Sequence, residues 1–319
     1  MRENKVVYGL IGYGGMGRWH TEILSNVPEA VIGGIYDIKK EKREEAKEKG
    51  FFVYETEEAM LADPDIDVVL IATPNDCHKP IAIRAMHAGK NVISEKPVTL
   101  SSADLLEMEN AAKETGKLLT VHQNRRWDDD FLIIKKLVEE QKLGHVFRIE
   151  SRVHGSRGIP GDWRKEKVHG GGMVLDWGVH LLDQILYMYG DRKIETVYAS
   201  LTNVTNQEVD DGFTAILTFE GGTEVLVEVG TNNYISLPRW YVLGEDGTAV
   251  IRDWQLNGEI IRKTGMTEET VVPVKTAAGL TKTMAPRRED TIVKEDLPKV
   301  SGDIADFHRN VVAVIRDGA

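Results

Sequence analysis

Val6-Val7-Tyr8-Gly9-Leu10-Ile11-Gly12-Tyr13-Gly14-Gly15-Met16-Gly17 is the stretch on which the fold turns. Every position from Val6 to Ile11 is apolar or glycine, as in a strand covered on both faces. A glycine-rich turn follows at once, and helical spacing begins at Met16. The same alternation repeats downstream. Val31–Tyr36, Val68–Ala72, Asn91–Ser94 and Leu118–His122 read as strands, while Met16–Asn26, Lys39–Lys49, Pro80–Ala88 and Ala103–Thr115 read as helices. Ser101 stands where a helix N-cap belongs, and Gly50, Gly89 and Gly116 stand at helix ends. Strand and helix in alternation imply a doubly wound parallel sheet.

Past residue 123 the pattern changes. Arg126–Glu140 and Val174–Tyr189 read as helices, and Asp303–Ile315 as a last one. Between them, Phe213–Phe219 and Glu224–Val229 flank Gly221-Gly222, and Trp240–Leu243 and Ala249–Ile251 flank Asp246-Gly247. Such turn dipeptides between apolar runs signal hairpins, and therefore an antiparallel sheet. The expected organisation is an α/β domain over residues 1–123 and an α+β domain over 124–319.

Composition agrees and excludes other classes. The chain has 319 residues, enough for two domains at roughly 100–200 residues each. A net charge of −11 speaks against a nucleic-acid partner, because binding phosphates requires clustered Lys and Arg. No run approaches the ~18 apolar residues of a membrane span. The apolar run after Lys5 is too short for a signal-peptide core, and Cys77 is the only cysteine. These signs place the chain in a reducing, cytoplasmic setting, away from membranes.

Gly12-Tyr13-Gly14-Gly15-Met16-Gly17 satisfies G-x-G-x-x-G. The pattern alone is weak, but here it leaves a strand, opens a helix, and is followed 20 positions after Gly17 by Asp37 at the end of the next strand. Gly12 permits the tight turn, Gly14 lets a pyrophosphate approach the backbone, and Gly17 lets the helix lie close to the sheet. The helix N-terminus offers N–H groups and partial positive charge to phosphates. Asp37 is suited to a ribose diol and unfavourable to a 2′-phosphate, which favours NAD over NADP, although Lys39 and Lys40 soften that preference. A Rossmann dinucleotide-binding domain is the reading.

Three further segments stand out: Thr73-Pro74-Asn75 with His78, Glu95-Lys96-Pro97, and Gly170-Gly171-Gly172 leading to Asp176-Trp177-Gly178-Val179-His180. The first two follow strands, where ligands of open α/β sheets bind. Asp176 and His180 are spaced i, i+4, so a helix puts them on one face. A carboxylate near an imidazole orients it and raises its proton affinity, as a general base near neutral pH requires. His154, Trp163, Arg164 and Asp183 are candidates for a substrate pocket, each with an equal claim to a structural role. His20, His87, His145 and His169 show no metal-ligand spacing, so no metal is expected. No G-x-S-x-G occurs, and nothing marks Cys77 as activated.

With these motifs the chain resembles the Gfo/Idh/MocA family, named for glucose–fructose oxidoreductase and inositol dehydrogenase. The likeness runs by motif from Val6 to about Tyr189, carried chiefly by Glu95-Lys96-Pro97 and by the glycine run and Asp-x-Gly-x-His-x-x-Asp from Gly170 to Asp183. It implies catalytic roles for Lys96, Asp176 and His180. It also implies cofactor contacts from Gly12, Tyr13, Gly14, Gly15, Met16 and Asp37, from Thr73, Pro74, Asn75 and His78, and from Glu95, Lys96 and Asn124. A cis Lys96–Pro97 bond, a large open second sheet that builds homodimers or tetramers, and family members that run past Ala319 are further implications. The implied activity is NAD(P)-dependent hydride transfer between nicotinamide and a carbinol or carbonyl carbon of a polyol, sugar or inositol. An NAD-dependent glycosidase and a non-catalytic dinucleotide sensor are the alternatives that the resemblance leaves open.

Overall fold

The fold comes from a computed structural model that describes residues 4–266 and 271–318. The chain divides into two compact units: residues 1–127, 160–179 and 303–319 form the first, and 128–159 with 180–302 the second. This differs from the single boundary expected after residue 123, because two later segments return to the first unit.

In the first unit, β1 (Val6–Ile11), β2 (Ala30–Tyr36), β3 (Val68–Ile71), β4 (Asn91–Glu95) and β5 (Leu119–His122) form one sheet in the order β2-β1-β3-β4-β5. All its pairings are parallel. A parallel bridge between Ile35 and Val53 adds a vestigial outer strand beside β2. Counting it third in sequence, the order becomes 3-2-1-4-5-6, that of dinucleotide-binding doubly wound sheets. The helices are α1 (Gly15–Leu24), α2 (Lys40–Glu48), α3 (Glu57–Ala62), α4 (His78–His87) and α5 (Ser102–Thr115). Ser101 caps α5 by accepting from the Asp104 N–H at 3.1 Å, and Gly116 ends it in the left-handed conformation.

Side-chain alternation along the strands makes two cores. Val6, Tyr8 and Leu10 face one side, with Ile23 and Leu24 of α1 and with Phe307, Val311 and Val312. Val7 and Ile11 face the other, with Ala82, Ala85 and Met86 of α4 and Met108 of α5. The helix that carries Phe307 is the last in the chain, Ala305–Asp317.

The second unit opens with α6 (Asp129–Glu139), for which the sequence predicted a start at Arg126; residues Asn124–Trp127 instead form a 3-10 turn. β6 (Val146–His154) follows, then α7 (Val179–Tyr189), β7 (Ile194–Thr202), β8 (Gly212–Phe219), β9 (Glu224–Gly230), β10 (Trp240–Gly244), β11 (Gly247–Ile251) and β12 (Gly258–Lys263). A small hairpin, β13 (Val274–Thr276) and β14 (Gly279–Thr281), precedes β15 (Ile292–Glu295), and α8 is the terminal helix Ala305–Asp317. The eight-stranded sheet runs β15-β12-β11-β10-β6-β9-β8-β7. It is antiparallel except where β6 pairs with β9, so the expected mostly antiparallel sheet is present. Asp130 and Arg239 make a buried ion pair at 2.6 Å in this unit, and Asp130 also accepts from Trp240 Nε1 at 3.0 Å. Among the described residues, no helix is long and apolar enough to cross a membrane.

Candidate active site

The carboxyl ends of the five parallel strands carry most of the residues singled out in the first unit. β1 ends in the glycine turn, β2 at Asp37, β3 before Thr73–His78, β4 at Glu95-Lys96, and β5 before Gln123-Asn124. The crevice lies at the switch point between β1 and β3, where the strand order reverses.

The glycine turn fits a bound phosphate on three counts. Gly12 has φ +96°, and a Cβ there would stand 2.5 Å from the Ala72 carbonyl oxygen. A Cβ on Gly17 would lie 2.1 Å from the Gly12 oxygen, so α1 reaches this turn only without a side chain. Gly14 and Gly15, by contrast, face open space. The N-cap of α1 is Gly14, no side chain caps the helix, and its first turn has no acid, so its N–H groups and positive pole are left for an anion. Asn124 contributes a buried Oδ1 at the end of β5 with no hydrogen-bond partner among the described residues, an acceptor site consistent with a ligand there.

Asp37 is held by both oxygens. Oδ2 accepts from the Tyr13 N–H at 2.7 Å and Oδ1 from the Lys39 N–H at 2.8 Å. The carboxylate is therefore fixed beside the turn, with further lone pairs available for hydroxyl donors. Tyr13 itself is core: its ring is 2% exposed and packs edge-on against Phe51. Met16 is half-buried in the first turn of α1.

His78 braces rather than faces the crevice. Its Nδ1 lies 2.9 Å from the Pro97 oxygen and its Nε2 3.0 Å from the Thr73 oxygen. Burial pushes the ring below the usual imidazole range, so it is neutral and its single N–H serves one carbonyl at a time. Asn75, also buried, donates from Nδ2 to the Gly170 oxygen at 3.0 Å, and His169 lies 3.2 Å from Asp76. Two side-chain links thus tie the segment 160–179 to the loop after β3. Pro74 is exposed and Thr73 half-buried on that loop. The glycine run is explained here: Gly170 and Gly172 are left-handed, and a Cβ on Gly171 would stand 2.3 Å from the Arg164 oxygen.

Those links deliver Asp176 to Lys96. Lys96 Nζ donates to the Asp176 backbone oxygen at 2.8 Å and lies 3.3 Å from its Oδ1, and Arg164 Nε sits 3.2 Å from the same oxygen. Burial pushes the Lys96 ammonium below the ordinary lysine range, while the charges of Asp176 and Glu95 pull it back up and Arg164 opposes them. The Lys96–Pro97 bond is cis. Arg164 stacks on Trp163 at 4.6 Å and is also paired with Asp162 at 2.7 Å. A contact that sequence reading missed is the guanidinium of Arg125 over the Trp177 ring at 4.0 Å, foreshadowed only by the basic run after Asn124.

The helix expected from Val174 begins differently. Val174–Gly178 forms a widened π turn before α7 starts at Val179. Such turns are rare and frequent at functional sites. His180 is in the first turn of α7, buried at 4% exposure, and Asp183 is half-buried one turn on. In the second unit His154 has both ring nitrogens engaged, Nε2 with Glu228 at 3.1 Å and Nδ1 with the Leu237 N–H at 3.2 Å. It is anchored in its own sheet.

The first unit is a dinucleotide-binding Rossmann domain by strand order, turn and strand-end chemistry. Residues 6–123 match the model of an oxidoreductase family with an NAD-binding Rossmann fold, and residues 131–250 match the Gfo/Idh/MocA C-terminal domain. The chain belongs to the Gfo/Idh/MocA family of NAD(P)-binding oxidoreductases. It is similar to an NAD-binding protein from Listeria innocua of known crystal structure, at 50% identity and TM-score 0.94 over 99% of this chain and 91% of that one. It is 28% identical to scyllo-inositol 2-dehydrogenase (NADP(+)) IolW of Bacillus subtilis over 98% of this chain and 86% of that protein. A myo-inositol 2-dehydrogenase of Thermotoga maritima is 30% identical over 67% of this chain and 65% of that protein.

Proposed function

We propose that the chain is an NAD-dependent dehydrogenase that interconverts a secondary alcohol of an inositol, polyol or sugar and the corresponding ketone. The observation that carries this reading is the half-buried Lys96 ammonium held 2.8 Å from the Asp176 backbone oxygen, at the carboxyl end of a dinucleotide-binding sheet. The inositol dehydrogenases among its relatives supply the substrate class.

When bound, the nicotinamide dinucleotide supplies the acceptor for hydride from the carbinol carbon. The turn at Gly12, Gly14, Gly15 and Met16 and the N-terminus of α1 take its pyrophosphate, Asp37 its ribose, and the loop at Thr73, Pro74 and Asn75 with Asn124 the remainder. Lys96 hydrogen-bonds the substrate oxygen and stabilises the negative charge that develops there. His180, four residues after Asp176, removes the hydroxyl proton. Asp176 holds the Lys96 ammonium in place. Trp163, Arg164 and Asp183 contribute to substrate selection, whereas His78, Glu95 and His154 support the structure around them. Asp37 favours NAD. The exposed Val197, Tyr198 and Leu201 of β7 support assembly into a homo-oligomer through the second sheet, and one half-buried cysteine suits a reducing cytoplasm.

The test is a screen of inositols, aldoses and sugar acids, following absorbance of the reduced nicotinamide with NAD and NADP in parallel. Turnover of at least one cyclic polyol or sugar, abolished in Lys96→Met, is the expected result. Release of sugar from glycosides without net cofactor reduction, or no oxidation of any member, would overturn it.

A further inference from the structure

Five elements of the first unit converge on a polar cluster inside its core. His20 comes from α1, Glu95 from the end of β4, His122 from the end of β5, His308 from α8 and Tyr8 from β1. The three histidines and Tyr8 are 0% exposed and Glu95 is 4%. Glu95 Oε1 lies 2.7 Å from His20 Nε2 and 2.8 Å from His122 Nδ1, and its Oε2 accepts from the Lys96 N–H at 3.2 Å. With two imidazole nitrogens and a backbone N–H directed at it, the Glu95 carboxylate is the acceptor of the cluster.

An ionised carboxylate only accepts, which fixes the tautomers around it. The proton of His20 is on Nε2 and that of His122 on Nδ1, so His20 Nδ1 and His122 Nε2 are lone pairs. His308 Nε2 lies 3.3 Å from His20 Nδ1, and its Nδ1 is 3.4 Å from Tyr8 Oη, both long for hydrogen bonds, which cluster near 2.9–3.0 Å. His122 Nε2 has no partner among the described residues. A buried acceptor left unmatched in this way calls for an explanation, an ion among the usual ones. One ring nitrogen from each histidine lies within 4.8 Å of the other two.

We propose that His20, His122 and His308 bind one divalent transition-metal ion of the zinc class, through His20 Nδ1, His308 Nε2 and His122 Nε2. Three facts fit. Two nitrogens each about 2.1 Å from a tetrahedral ion stand roughly 3.4 Å apart, and His20 Nδ1 and His308 Nε2 already stand at 3.3 Å. The three nitrogens lie within 4.8 Å of one another, so bringing His122 to the same spacing takes a movement of up to about 1.4 Å. Two of the nitrogens turned away from the ion are already held, those of His20 and His122 by Glu95, and Tyr8 Oη stands 3.4 Å from that of His308, within reach as an acceptor after a small shift. That carboxylate–histidine–metal arrangement is the usual support of imidazole ligands. An all-nitrogen donor set selects zinc, cobalt, nickel or copper over magnesium and calcium, which require oxygens.

Protons balance on binding. His308 passes to the tautomer with its proton on Nδ1, where Tyr8 Oη accepts it, and no net proton leaves. The ion would join α8 to α1 and β5 across 288 positions of sequence, as a structural staple separate from the chemistry at Lys96.

The experiment uses the full chain, freed of any affinity tag and stripped with chelator. Zn2+ and Co2+ are then titrated calorimetrically, metal content is measured by mass spectrometry, and the visible spectrum of the Co2+ form is recorded. One ion per chain is expected, with a cobalt spectrum distinct from that of the hydrated ion. At a hundredfold excess over Kd, the melting temperature should rise by roughly 4 °C. His308→Gln and, separately, His122→Gln should lose the ion and the shift, with NAD binding and circular dichroism showing that each variant folds; the exposed His87→Gln should keep both. A stripped wild type that takes up no ion overturns the proposal and leaves a hydrogen-bonded core. So does a bound ion retained by both folded variants.

Discussion

Replacing Asp176 by Asn removes a carboxylate that lies 3.3 Å from Lys96 Nζ, while the shape of the side chain is kept. Lys96 already sits below the ordinary lysine range because it is buried, and Asp176 is the largest influence opposing that shift. At 3.3 Å the attraction is about 1 kcal/mol at the dielectric constant of water and about 5 kcal/mol at an effective value of 20. One pH unit corresponds to about 1.4 kcal/mol. The Lys96 titration in Asp176→Asn should therefore move to lower pH by at least about one unit. Arg164, whose Nε lies 3.2 Å from Asp176 Oδ1, acts in the same direction once no anion stands between the two cations. The sign is definite: the ammonium loses its counter-charge and gives up its proton more readily. An NMR titration of 13Cε-labelled lysine between about pH 7 and 11 measures it without a substrate. With a substrate in hand, the alkaline limb of kcat/KM should move by the same amount. A Lys96 midpoint that stays within about 0.3 units of wild type would refute the claim that Asp176 governs this charge.

His180→Asn should lower turnover by roughly 100- to 10,000-fold with NAD affinity unchanged, as expected for loss of a general base; rates near wild type would remove His180 from the mechanism. Asp37→Ser should weaken NAD binding by about tenfold or more, the worth of a charge-assisted hydrogen bond, and improve NADP binding. Calorimetric titration of both cofactors decides it, and an unchanged NAD:NADP ratio would count against the assigned role. Asp130→Ala takes the carboxylate away from the buried Arg239 cation, which keeps the Arg152 oxygen and the Trp254 ring, and should cost about 3 kcal/mol in denaturant unfolding. Adding Arg239→Met should recover part of that loss, and a cost below about 1 kcal/mol would mean that the ion pair is not what holds α6 to β10.

The first sheet was legible because each of its signals is local. Val6–Ile11 is buried throughout, and the residues that define the turn are contiguous with it. α3 was missed because its six residues, Glu57–Ala62, are too few for a 3.6-residue period to register. In the second unit, hairpins with glycine turns were read, but β6 was not. Arg148, Glu150 and Arg152 interrupt its apolar positions; Glu150 pairs with both arginines, which also pair with Glu224 and Glu228 on β9, a neighbour more than 70 positions away. β7 is exposed along nearly its whole length and gives no alternation to detect.

The same distinction between local and distant information governs the site. Lys96 and Asp176 stood out by motif, yet their meeting depends on Asn75 and His169 fastening the glycine run to another loop, and no spacing reveals that. His78 was legible as a residue but not as a brace, since its role lies in the two carbonyls it faces. α8 shows the limit most clearly. Phe307, Val311 and Val312 mark one apolar face and so predict a helix, but an apolar face does not say which core it covers. It covers β1, at the opposite end of the sequence, and thereby brings His308 to His20. The expectation of no metal followed from searching for ligands at short spacing. A cluster drawn from residues 20, 122 and 308 has no short spacing to find, and only the return of α8 to the first sheet creates it.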